Sequence, residues 1–155
     1  MDYLIRKARM EDAPALNELL TLLIKDEKKY DDNVNENCTI DNFYENIINC
    51  DKKIVLVATC QSEIVGYLFG YIIDDGNTYL VKEAKLDALY VTSKHRSQGI
   101  GANLIKEFKN WCLNNSVKTI EVTLLKNNKT AENLYIQNGF QDYKKSLIAV
   151  IDEEN

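Results

Sequence analysis

The chain has 155 residues and a mass of 17.8 kDa, 45% hydrophobic and 28% charged, which fits one domain over 1–155 and excludes a disordered chain. A formal net charge of −5 argues against a general nucleic-acid binder, which would normally be basic, and is compatible with a cationic partner. No apolar run approaches the roughly eighteen residues of a membrane helix, and Cys38, Cys50, Cys60 and Cys112 form no CxxC pair beside the lone His95, so neither a membrane nor a metal partner is expected.

In chain order, Met1-Asp2-Tyr3-Leu4-Ile5-Arg6 shows no basic-then-apolar leader, and few cysteines suit reduced thiols, so a cytoplasmic protein is expected. Tyr3 to Arg9 alternates as a short strand. Glu11-Asp12-Ala13-Pro14 then opens a helix, with acids and a proline in the first turn. Leu16, Leu19, Leu20, Leu23 and Ile24 form its apolar face. Lys25 to Asn37 is polar and acidic. Thr39 is placed to cap a second helix, Ile40 to Asn49. Ile54 to Thr59 is a buried strand, Gln61-Ser62-Glu63 turns the chain, and Ile64 to Ile73 returns as its hairpin partner. Asp74-Asp75-Gly76-Asn77 is a loop, and Glu83 to Thr92 a further strand. Gly99 to Asn114 is a helix burying Ile100, Leu104, Ile105, Phe108, Trp111 and Cys112. Lys118 to Leu124 is a strand, and Asn128 to Gln137 a short helix stopped by Asn138-Gly139. Phe140 to Tyr143 and Ser146 to Ile151 pair as a closing hairpin. The predicted order is β-α-α-β-β-β-α-β-α-β-β, an α/β (α+β) mixed sheet flanked by helices and not doubly wound.

Two segments carry chemistry. In the first, a strand ends at Val91, a polar loop follows, and Gly99-Ile100-Gly101 opens an amphipathic helix. Glycines let backbone N–H groups approach a ligand, a helix N-terminus favours phosphate, and Lys94 and Arg96 add positive charge. Leu104 breaks a dinucleotide GxGxxG pattern, and no GK[ST] makes a P-loop. A close helix–strand contact alone would also account for the glycines. The second segment, Asn127 to Phe140, likewise follows a strand and opens a helix.

Arg96-Ser97-Gln98-Gly99-Ile100-Gly101 resembles the R/Q-x-x-G-x-G/A motif of the GNAT (GCN5-related) N-acetyltransferases. Asn128-x-x-Ala131-x-x-x-Tyr135 followed by Gly139-Phe140 resembles that family's second acyl-CoA element, and Ile5-Arg6-Lys7-Ala8-x-x-x-Asp12 its first strand and helix entry. The element order agrees, so the resemblance spans nearly the whole chain. Ser93, His95 and Ser97 depart from the usual proline, aromatic and glycine, without removing a ligand group.

The resemblance implies an acetyl-CoA-dependent N-acetyltransferase acting by direct transfer, on a fold of mixed, mostly antiparallel sheet. It places the coenzyme A pyrophosphate on Arg96, Ser97, Gln98, Gly99, Ile100, Gly101 and Ala102. It places the pantetheine arm along the backbone of Leu89, Tyr90 and Val91, with Asn128 and Asn133 nearby. Tyr135 becomes the acid that protonates the leaving thiolate; a core aromatic on a short helix is the plainer alternative. The attacking amine must lose a proton, because a lysine-like pKa is about 10.4. Asp87 stands four residues before Val91, as the acid does in polyamine-acetylating members. Glu83 stands eight before, as in members that acetylate a ribosomal protein's N-terminus. Either could instead be a solvated strand residue paired with Lys82 or Lys85.

Asp31, Asp32 and Glu36 fall where the family lines its acceptor site, and would recognise a cation by charge; a solvated loop accounts for them equally. His95 reads as an exposed loop residue, and Cys112 as core rather than an acyl-carrying thiol. The leading acceptor is a small cationic amine, polyamine or aminoglycoside-like. Protein N-terminal or lysine acetylation, a non-catalytic acyl-CoA-binding sensor, and a purely structural α/β domain are the alternatives. Many members of the family are homodimers through the last strands or sheet edges, and Ser146 to Ile151 is apolar enough to take part.

Overall fold

A computed structural model describes residues 2–152. Five strands form one sheet in the order β1 (Leu4–Lys7), β2 (Lys53–Cys60), β3 (Glu63–Ile72), β4 (Glu83–Val91) and β5 (Thr119–Val122). The first four are antiparallel neighbours, and β5 runs parallel to β4. The β2–β3 hairpin closes at Cys60 opposite Glu63. Its two turn residues, Gln61 and Ser62, both have positive φ (51° and 67°), the backbone twist that a tight two-residue hairpin requires.

Helices cover both faces. The helix α1 (Ala13–Glu27) packs Leu16 and Leu19 against Val55, Val57, Tyr67, Phe69, Ala88 and Tyr90. On the other face, α2 (Ile100–Asn114) buries Ile100, Leu104, Ile105, Phe108 and Cys112 against Ile54, Leu56, Leu68 and Leu86. The last helix, α3 (Lys129–Gln137), adds Tyr135 to that second core. Cys112 is buried as expected, and burial pushes its thiol pKa up to about 11. Such a thiol is almost wholly protonated near neutral pH.

Two expectations are corrected. The helix expected over Ile40 to Asn49 is one 3-10 turn, Tyr44–Asn46. Asn42 and Asn49 take positive φ (57° and 77°), which no α-helix tolerates. Asparagine side chains compete for the backbone here: Asn46 Nδ2 donates to Asn42 O (2.9 Å), and Tyr44 N donates to Asn17 Oδ1 (3.1 Å). The hairpin expected from Phe140 to Tyr143 and Ser146 to Ile151 does not form either. Residues 138–152 join no strand, and 141–152 are exposed. Among the described residues β5 is therefore an edge strand.

The first strand also ends at Lys7, short of Arg9, because Asp12 captures the chain beyond it. Its carboxylate accepts from Arg6 Nη1 (2.7 Å), Arg6 Nη2 (3.1 Å) and the Arg9 backbone N–H (2.7 Å). Arg6 thereby holds the Asp12 carboxyl below its ordinary pKa. Among the described residues no helix is long and apolar enough to cross a membrane, and no three His, Cys, Asp or Glu side chains cluster as a metal site.

Candidate active site

The sheet opens where β4 outruns its parallel neighbour. Pairing ends at Leu86 opposite Val122, while β4 continues to Val91 with a neighbour on one side only. Thr92 N donates to Val65 O (2.9 Å), which sets the alternation of this strand end. Residues alternating with it, Leu89 and Val91, therefore turn their backbone N–H and C=O groups into the opening. An extended ligand chain can pair there like an extra strand.

At the mouth of the opening, the glycine loop leads into α2. Gly99 caps the helix at φ +84°, a left-handed conformation that disfavours a side chain. No side chain caps this end. The first N–H groups of the helix, those of Ile100, Gly101 and Ala102, thus lack helical partners and point outward. Ser97 also has positive φ (63°), and Gln98 Oε1 is buried without a hydrogen-bond partner. Gly101 lets α3 come close, since a Cβ there would lie 3.3 Å from Leu134 Cδ2. The result is a cradle of N–H groups at a positive helix end, fit for a phosphate-bearing ligand.

Arg96 is placed differently from a simple phosphate clamp. Its Nε donates to Val91 O (2.8 Å), its guanidinium lies 5.4 Å from the Tyr90 ring centroid, and Nη2 meets Asp26 at 3.3 Å. It ties the end of β4 to the last turn of α1. His95 accepts or donates at Nδ1 with Thr92 Oγ1 (2.9 Å) within the 3-10 turn Ser93–His95.

The far wall is α3. Asn128 caps it, its side-chain oxygen accepting from Ala131 N (3.2 Å). Asn133 is exposed on the same helix. Tyr135 is buried, with its ring edge-on to Phe140 at 5.4 Å. Burial pushes its phenol up to about 12, so the proton stays on oxygen throughout the neutral range.

An acidic cluster faces α1. The β3–β4 register slips between Phe69 opposite Ala88 and Gly70 opposite Leu86, so Asp87 is the extra residue of a β-bulge. Ala84 and Leu86 belong to the core under α2, whereas Ala88 and Tyr90 belong to the core under α1. The bulge switches the strand's faces and presents Asp87 beside Ala88. The Asp87 side chain reaches solvent, yet desolvation raises its pKa, opposed by Lys85. Its charge bears on Glu27, Tyr67, Tyr44 and Tyr71. Beneath it, Tyr44 Oη donates to Tyr67 Oη (2.9 Å), both rings being fully buried.

Glu27, on the last turn of α1, has its pKa raised by burial and then by Asp31 and Asp87. The sequence reading overlooked it. The available signal was its spacing: Leu16, Leu20, Leu23 and Glu27 fall on one helical face, so an acid ends an apolar stripe. Asp31 N donates to Glu27 O (3.0 Å), which brings Asp31 into the cluster. Asp32 and Glu36 are exposed and are not among the groups acting on Glu27 or Asp87. Glu83 is buried at the start of β4, opposite Thr119. At about 3.3 Å per residue, that is roughly 13 Å along the strand from Asp87.

Comparison with known proteins follows this geometry. A family model described as an acetyltransferase (GNAT) domain matches residues 51–142. A thialysine N-epsilon-acetyltransferase from Mus musculus is 30% identical over 148 residues, covering 92% of this chain and 86% of that protein. A Bacillus halodurans protein, solved as a tetramutant, superposes with a TM-score of 0.84 at 21% identity, covering 96% of this chain and 99% of its own. An aminoglycoside N-acetyltransferase solved with CoA gives a TM-score of 0.73 at 15% identity, covering 96% and 98% respectively.

Proposed function

Because this chain belongs to the GNAT acetyltransferase family, we propose that it acetylates a primary amine of a small cationic acceptor. The family's co-substrate, acetyl-CoA, supplies an acetyl group activated as a thioester. In this reading, backbone N–H groups from Arg96 to Ala102 hold the pyrophosphate. Leu89, Tyr90 and Val91 line the pantetheine arm, with Asn128 and Asn133 on the opposite wall. The free amide hydrogens of Asn128 remain available to a ligand, since its oxygen is spent on the helix cap.

Two side chains move protons. Asp87 takes one from the attacking amine, which is mostly protonated at neutral pH. Its raised pKa makes it a better acceptor than an ordinary aspartate. Glu83 is passed over, being buried at the opposite end of the strand. Tyr135 gives its phenolic proton to the departing sulfur, and burial keeps that proton in place until it is needed.

The observation that carries the acceptor class is the grouping of acids around Glu27, whose backbone carbonyl accepts from Asp31 N (3.0 Å) and whose carboxyl pKa is raised by burial and then by the charges of Asp31 and Asp87. Carboxylates grouped at the surface attract an ammonium group through charge. A second cationic group would gain from Glu27 while the reacting amine meets Asp87. The mouse relative is named for acetylation at the Nε of thialysine, itself a small amine.

The test is thiol release from acetyl-CoA across spermidine, aminoglycosides, amino acids with side-chain amines, and short peptides. Acceptors with two or more amines are expected to give the highest kcat/KM. A clear preference for peptide α-amines or peptide lysines would overturn the small-cation reading.

A further inference from the structure

A cavity of about 360 Å³ opens on the sheet face under α1, apart from the glycine loop. Phe43 and Ile47 wall it from the segment after α1, Phe69 and Tyr71 from β3, and Lys53 from the start of β2. Phe43 meets Phe69 edge-on at 6.3 Å, and Phe69 lies 5.8 Å from Tyr71, so three rings line one space. Apolar and aromatic walls with few polar groups, at this volume, are the pattern of a small-molecule site. Lys53 is the one charged residue of the lining, and among the described residues no carboxylate lies within ion-pair distance of it.

Strand register fixes where the cavity stands relative to Asp87. Lys53 is opposite Tyr71, and Tyr71 is opposite Lys85, so the three side chains share a face. It is the face under α1, because Val55 and Phe69, each two residues away along β2 and β3, belong to the core beneath that helix. Asp87 follows Lys85 by two residues, and burial and then the Asp87 charge raise the Tyr71 pKa. The glycine loop lies the other way along β4, past Val91. The cavity therefore extends from Asp87 away from the phosphate cradle. From the usual strand spacing and rise, Lys53 and Asp87 stand about 12 Å apart at the backbone, and the long Lys53 stem closes part of that gap. Lys85 Nζ donates to Thr123 Oγ1 (3.2 Å) and Glu121 pairs with Lys144 (3.3 Å), and neither lines the cavity.

We propose that this cavity seats the far end of the acceptor, where Lys53 binds a carboxylate while the reacting amine meets Asp87. The acceptor is then an amine that also carries an acid, the two joined by a short alkyl chain lying over Phe43, Phe69 and Tyr71. This rests on the acetyl-transfer reading given above, and adds an anion subsite that the acids around Glu27 do not supply. Opposite charges at the two ends also fix orientation. An ammonium group turned toward Lys53, or a carboxylate turned toward Asp87 and Glu27, meets a like charge, so the molecule is held one way round. A plain polyamine gains the acids but offers Lys53 nothing to bind.

Free lysine and lysinamide, alike in shape and different at the carboxylate, are compared by thiol release from acetyl-CoA. A site that attracts positive charge alone favours lysinamide, which carries the greater net positive charge. The cavity predicts the reverse, a kcat/KM for lysine about fivefold above that for lysinamide, the size expected of an ion pair open to water. In Lys53→Met the ratio is expected to fall to about one or below, and in Lys53→Arg it is expected to persist. Lys53 is exposed at a strand start, so both variants are expected to fold, and the wild-type comparison needs neither. A wild-type ratio at or below one overturns the proposal, and so does a Lys53→Met enzyme that keeps the wild-type ratio. Either result leaves acetyl transfer to an amine standing. Absence of thiol release with every amine tried overturns that reading itself, and this inference with it.

Discussion

Replacing Asp87 with asparagine tests the proposed proton acceptor while keeping shape and backbone. The bulge that presents Asp87 is a feature of the strand register, so the amide should occupy the same position. General bases typically contribute about 10²- to 10⁴-fold. Asp87 reaches solvent, so water can partly replace it, and the lower end applies. The expected loss in kcat/KM is about 100-fold, or about 2.7 kcal/mol of transition-state stabilisation. In the wild type, desolvation raises the Asp87 pKa. Activity should therefore fall as pH drops through a value above that of an ordinary aspartate. The variant should lose that limb and follow the fraction of free amine instead. Stability gives an independent control. A carboxyl whose folded pKa is raised binds its proton more tightly when folded, so its ionised form at neutral pH does not favour folding. Asp87→Asn should accordingly melt no lower than wild type at pH 7. Steady-state thiol release over pH 5 to about 9, with matched thermal melts, checks all three points. A variant within about threefold of wild type, with its acid limb intact, would refute the assignment of the base.

Gly99→Ala forces a side chain into φ +84°, costing about 1–2 kcal/mol. Calorimetric titration should show weaker coenzyme A binding, since the cradle is anchored on that residue. Asp12→Asn removes the ionic partner of Arg6 and should lower stability by about 2 kcal/mol at pH 7, read by urea melts. The Asp12 pKa is lowered on folding, so its contribution is fully present above the unfolded value near 3.9 and is lost as pH falls through the lowered folded value. The gap between wild type and Asp12→Asn should therefore close in acid.

Much of this arrangement is legible in the chain because local chemistry and tertiary placement agree. The β2–β3 hairpin, the glycine-capped α2 and the asparagine-capped α3 each announce themselves by apolar period and end residues. Agreement fails where local signals compete. Ile40 to Asn49 has helical spacing, but its asparagines bond to backbone and take left-handed conformations that break it. Asp87 was visible as an acid on a strand, but the bulge that aims it depends on the register against Phe69 and Gly70, which no single strand reveals. Glu27 belongs to a polar stretch by composition and to the site by helix face. The C-terminal tail has the apolar alternation of a strand, yet residues 138–152 join no strand, because the pattern of a single segment does not supply a partner edge.

The central claim is acetyl transfer with Tyr135 as the acid, and it is most directly tested by acceptor-dependent thiol release from acetyl-CoA in wild type and Tyr135→Phe, with coenzyme A affinity measured on both. Loss of the hydroxyl alone leaves the ring and its contact with Phe140 in place. The account predicts a fall in kcat of about 10²-fold or more with unchanged coenzyme A affinity. Equal turnover by Tyr135→Phe would contradict the role given to this residue, and a wild type that binds no coenzyme A would contradict the site itself.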